Sequence, residues 1–139
     1  MNSISIAAFV CYALAALLAV IFGIIYLGRS QFMPYHEEAI GTPWNKLDHR
    51  LQALLLGLMR TAGGGLLAGG LTVMILLLFP FRAGESWSLF AIPAIGLVTV
   101  VPALYATVLI RSRTRAHTPV AASAIGVGLL VVGFIFSLI

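Results

Sequence analysis

Two groups of residues in this chain are of types that do chemistry. The first is Arg60, together with His49 and Asp48. Arg60 stands inside Leu47 to Phe79, a stretch that is otherwise uncharged from Leu51 onward. At helical spacing His49, Ala53, Leu56 and Arg60 share one face, and Leu47, Leu51, Leu54 and Leu58 share the opposite one. An arginine and a histidine on one face can hold the anion of a lipid head group or of a substrate. An arginine buried in hydrocarbon costs at least ~2.5 kcal/mol unless it is paired or faces water. The cheaper placement sets Arg60 at the head-group boundary, where it snorkels or pairs with Glu37, Glu38 or Asp48.

The second group is His36-Glu37-Glu38 in the first loop. Zinc sites bring three or four ligands together from suitably spaced positions. Adjacent residues rarely ligate one ion together, and His-Glu-x-x-His is absent, so neither a metal nor a cofactor is expected. The plain reading is a solvated loop at the lipid interface. Gly63-Gly64-Gly65 lacks the Lys-Ser/Thr of a phosphate-binding loop and reads as helix packing. The single cysteine, Cys11, lies in an apolar run, so no Cys-His nucleophile is formed and no catalytic residue can be named.

The elements that must position these groups are four apolar runs, each close to the ~20 residues that cross a hydrocarbon core. They cover about 6–27, 47–79, 88–110 and 119–139. With 61% hydrophobic and 9% charged residues, and a mean hydropathy of +1.10, the chain is far from the ~25% charged residues of soluble domains. The fold expected is all-α: a single domain, an integral membrane bundle of four transmembrane helices. Span one carries small residues at four-residue spacing, Ala7, Cys11, Ala15, Ala19 and Gly23. Span two carries Gly57, Thr61, Gly65 and Gly69 at the same spacing. Small residues so placed let helix backbones approach closely, so the two ladders are expected to face each other. Thr42-Pro43 offers a helix start for span two. Pro93 and Pro102 are expected to kink span three.

The connection 28–46 holds Phe32, Met33, Tyr35, Ile40 and Trp44 among its polar residues, the composition of an interfacial segment. Net charge is +4, and the basic residues cluster in two loops beside apolar runs. That is a topology signal and excludes a nucleic-acid reading. Arg29, Lys46 and Arg50 flank loop one, Arg111, Arg113 and Arg115 fill loop three, and loop two has Arg82 alone. Loops one and three are therefore expected in the cytoplasm, with both termini outside, in the periplasm. Anionic head groups are the expected partners of Arg111, Arg113 and Arg115. A homo-oligomer or a membrane partner protein is a further expectation.

Four spans with a polar first loop resemble, in layout, the small membrane enzymes of eicosanoid and glutathione metabolism. Leu58 and Met59 precede Arg60 with no adjacent Glu, so none of that family's residues is carried over. The run Phe32-Met33-Pro34-Tyr35-His36 through Gly41, followed by Arg60, resembles a signature of small bacterial membrane proteins. The function expected is lipid binding, or an accessory role in helix packing, at the inner membrane with a polar pocket around Arg60. The alternatives are an integral membrane enzyme acting on a lipid-like or thiol-conjugated substrate, and an oligomeric transporter.

Overall fold

The computed structural model describes residues 3–139, with side chains from Ser5 onward. All regular structure among them is helical: α1 (Ser3–Gly28), α2 (Pro34–Ile40), α3 (His49–Leu76), α4 (Ser88–Thr114) and α5 (Val120–Ser137). A single 3-10 turn, Trp44–Lys46, precedes α3, and a π-helical turn, Leu77–Phe81, extends it. Four of these helices are long and apolar enough to cross a membrane, as in a multi-pass membrane protein. α2 is the short exception.

The four long helices form a ring in which each packs on its antiparallel neighbours, in the order α1, α3, α4, α5. The centre is Tyr12, Ala15, Ala16, Val73, Leu77, Ile92, Val100 and Leu130. The outside is apolar as well: Leu54, Phe79, Phe90 and Ile125 are all exposed, and Val98 is 76% exposed. Apolar surface this continuous is what lipid tails cover.

α1 and α3 approach most closely. A Cβ placed on Gly23 would stand 2.7 Å from the Leu67 backbone nitrogen and 2.8 Å from the Gly63 carbonyl oxygen. One placed on Gly70 would stand 2.9 Å from the Ala16 carbonyl oxygen. The packed face of α1 is Ala8, Tyr12, Ala15, Ala16, Ala19 and Gly23, with Ala7 and Cys11 half-buried beside it.

The ladder expected on span two is displaced. Gly57 and Gly65 face open space, and Thr61 is exposed with its hydroxyl donating to the Gly57 carbonyl. Met59, Gly63, Gly70 and Val73 are the buried positions instead. A four-residue step advances about 40° beyond a full helical turn, so a strict ladder winds off its face, whereas a seven-residue step drifts only about 20°. Gly69, at the end of that ladder, has wound round to α4, where its Cα lies against Thr99.

The start of α3 also differs from expectation. Thr42-Pro43 leads into the 3-10 turn, and α3 begins at His49, where the Asp48 carboxylate accepts from the Arg50 backbone nitrogen at 2.9 Å. Asp48 sits directly before the apolar periodicity and caps the first turn. Pro80 explains the π turn: it has no N–H to give, and its ring would clash with a carbonyl four residues back, which the wider register avoids. α4 runs as one helix through Pro93 and Pro102.

Candidate functional site

The contacts of α1 with α3 fix the depth of Arg60. Gly23 lies against Gly63 and Leu67, and Gly70 against Ala16 and Val20. That antiparallel register sets Gly28, the last residue of α1, level with Arg60. From His49 to Arg60, at about 1.5 Å per residue, α3 stands about 16 Å beyond the end of α1. Arg60 is exposed on the outer surface, with no hydrogen-bond or ion-pair partner among the described residues. His49 is exposed three turns away, with Nδ1 at 3.2 Å from Gln52 Oε1. No hydrogen bond or ion pair joins Arg60 to His49, Asp48, Glu37 or Glu38 among the described residues. Neither Arg60 nor His49 or Leu56 lines the groove described next.

The polar site lies instead over the end of α1. Gly28 ends that helix, and the chain turns through Arg29 to Phe32 into α2, whose first residue is Pro34. Gly41 closes α2 in the left-handed region at φ 69°, its N–H donating to the Glu37 carbonyl. This turn brings the chain back across its own start. The result is an open groove of about 460 Å³, lined by Arg29, Phe32, Glu37, Glu38, Thr42 and Trp44 among others. Phe32 is buried and packs edge to face with Trp44, ring centroids 4.9 Å apart. Gln52 of α3 donates to the Trp44 carbonyl at 2.7 Å, which ties the groove's rim to the protruding part of α3.

α2 is held from below and from the side. Below it, Tyr35 is buried and its hydroxyl bonds that of Tyr26 on α1. Burial pushes the Tyr35 phenol well above its ordinary range, and the Tyr26 bond adds to the shift. His36 packs against Tyr26, Phe32 and Tyr35. Its Nδ1 accepts from the Met33 N–H at 3.3 Å, and burial lowers its pKa. His36 is thus a neutral packing residue that closes the first turn of α2. At the side, Glu38 Oε2 accepts from His117 twice, from the backbone N–H at 2.8 Å and from Nδ1 at 2.9 Å. The backbone bond first, and then the ring bond, hold the Glu38 carboxyl below the usual carboxylate range.

The Glu38–His117 contact joins loop one to the loop between α4 and α5, so both lie at one end of the bundle. Thr118 fixes that second loop by donating to the Thr107 carbonyl at 2.8 Å. Arg111, Arg113 and Arg115 are exposed at the same end. Of the candidates from the sequence, Glu37 and Glu38 line the groove and His36 supports its floor. Asp48 caps α3, and His49 and Arg60 stand apart. His117 was missed, although it shares a loop with the three arginines and hence a side with Glu38. Arg29, Phe32 and Trp44 were read for topology and amphipathicity, not as one lining.

Between the helices a small void of about 10 Å³ is lined by Ala15, Ala19, Gly70, Val73, Gly96 and Leu130 with their neighbours. Among the described residues no cluster of three His, Cys, Asp or Glu side chains could hold a metal ion. No protein-family model matches the chain, nor is any curated protein or solved structure significantly similar to it.

Proposed function

We propose that this chain is a bacterial inner-membrane protein that binds a polar lipid head group in the groove over the end of α1. The observation that carries the reading is the groove itself: charged and aromatic side chains around about 460 Å³, at the level where a membrane helix ends. Trp44 is of the type that settles at the head-group level. The groove is open and begins one residue past the end of α1, so a head group can enter while its acyl chains lie against the apolar outer face. The positive loops belong in the cytoplasm and both termini in the periplasm. Arg111, Arg113 and Arg115 add a non-specific attraction for anionic lipids at the same surface.

A membrane enzyme and a transporter have less support. The void of about 10 Å³ between the spans of one chain is too small for a substrate, and a pathway between copies of the chain would not use it. The test is lipid retention after purification, read by native mass spectrometry. Arg29→Ala and Trp44→Ala are expected to lower retention, and Arg60→Ala to leave it unchanged. Equal retention in all three, with each variant folded, removes the reading.

A further inference from the structure

The groove carries charges of both signs, and they are not spent on each other. Arg29 and Glu37 both line it, and no ion pair joins them. Neither side chain has a hydrogen-bond or ion-pair partner among the described residues. Glu38 is different, because its Oε2 already holds His117. The groove thus offers one guanidinium and one carboxylate that are not paired with each other. An anion-binding site has no use for Glu37 on its wall, since a carboxylate beside a phosphate is repulsive and desolvated at a cost. A ligand that is itself split into phosphate and ammonium satisfies both groups.

We infer that the groove recognises the head group of an amine-bearing phospholipid, a phosphate ester ending in a primary ammonium. The inference rests on the head-group reading above and names its ligand. Arg29 receives the phosphate, for which its planar fork suits two oxygens at once. Glu37 accepts from the ammonium, and the Thr42 hydroxyl on the same lining is a further acceptor. A quaternary ammonium fits less well. It has no N–H to give Glu37, and aromatic cages bind it through exposed ring faces. Here Phe32 and Trp44 meet at 85°, so the edge of one ring covers the face of the other. A lipid is favoured over a soluble zwitterion by position, because the groove's Arg29 directly follows Gly28, the end of the apolar helix α1.

The experiment places the purified protein in nanodiscs of equal parts phosphatidylethanolamine, phosphatidylglycerol and phosphatidylcholine with matched acyl chains. Retained lipid is counted by native mass spectrometry. The wild type is expected to retain phosphatidylethanolamine about tenfold over the other two, the equivalent of one hydrogen bond to a charged group. Glu37→Gln is expected to abolish that preference while retaining lipid, and Glu37→Asp to restore part of it. Arg29→Gln is expected to lower retention of all three. Free glycerophosphoethanolamine is expected not to compete. If it competes fully, the ligand is the soluble zwitterion and the lipid assignment fails. Retention of phosphatidylglycerol equal to or above phosphatidylethanolamine overturns the inference but leaves the head-group reading standing. If no lipid is retained, or if neither Arg29→Gln nor Glu37→Gln alters what is retained, both fall.

Discussion

At the scale of single residues, the glycines of α3 divide into two sets that composition does not distinguish. Gly63 and Gly70 are pressed against α1, and an added methyl group would meet Tyr26 Cβ at 2.7 Å in the first case and Val20 Cγ2 at 2.8 Å in the second. Gly57 and Gly65 have open space around them. Gly63→Ala and Gly70→Ala are therefore expected to destabilise the bundle by about 1–3 kcal/mol, the usual result of overpacking. Gly57→Ala and Gly65→Ala are expected to be neutral, or stabilising by about 0.5–1 kcal/mol, because glycine weakens a helix interior. Thermal unfolding of the four variants in one detergent checks the ordering. A larger loss at Gly57 or Gly65 than at Gly63 would mean that the outer face of α3 packs on something in the solubilised protein. Why the sequence misleads here is physical. Glycines at four-residue spacing look like one stripe, but which stripe faces a neighbour depends on the helix's rotation about its own axis. That rotation is set by Tyr12, Val73, Leu77 and the other large buried side chains, whose contacts are long-range. Hydropathy along the chain carries no trace of them.

At the scale of elements, α2 is the part of the fold whose attachment depends on protonation. Besides Tyr35, its ionisable anchors are His36 and Glu38, and both have pKa values lowered by the folded state. For each, the unfolded or undocked chain binds the proton more readily, so docking is most stable at higher pH and weakens with acid. For His36 the weakening begins below the ordinary imidazole value of ~6.5, as charging a buried ring becomes the cost of staying docked. For Glu38 it begins below the ordinary carboxylate value of ~4.3 and completes as pH falls through its lowered folded value. Amide exchange in α2 is expected to accelerate in two steps as pH is lowered, after correction for the intrinsic rate. His36→Gln should remove the upper step and Glu38→Gln the lower one. A single step that survives both substitutions would show that neither group anchors the helix. The number of spans and the close approach of α1 and α3 were legible in the sequence, because length and apolarity fix the first and small residues permit the second. The clasp was not legible. Glu38 and His117 are far apart in the chain, and only the ring order of the helices brings their loops together.

At the scale of the whole molecule, the bundle has one end rich in charge and one end nearly without it. The rich end carries α2, the groove, the clasp and the three arginines after α4. The poor end carries the α3–α4 turn, where Arg82 is the single basic residue. Arg60 belongs to the rich end, since it is level with Gly28 and its guanidinium can reach the head groups from there. The length of α3 follows from the same placement. From Arg60 to Phe81 it spans about 31 Å, close to one hydrocarbon thickness, and the turns before Arg60 extend into the head-group region beside the groove. Positive charge is retained on the cytoplasmic side during insertion, so the proposed orientation puts the groove in the inner leaflet. A membrane-impermeant maleimide tests this in intact cells. In a Cys11→Ser background, Ser86→Cys in the α3–α4 turn is expected to label and Ser30→Cys beside the groove to remain protected until the membrane is opened. Neither exposed serine touches the packed core, so both variants should insert as the parent does. The opposite labelling would place the groove in the outer leaflet, and the basic loops would then have crossed against the rule that governs short loops. Neutralising Arg111, Arg113 and Arg115 together is expected to weaken the bias and give labelling at both sites, because Arg29, Lys46 and Arg50 would then hold the orientation against Arg82 without help.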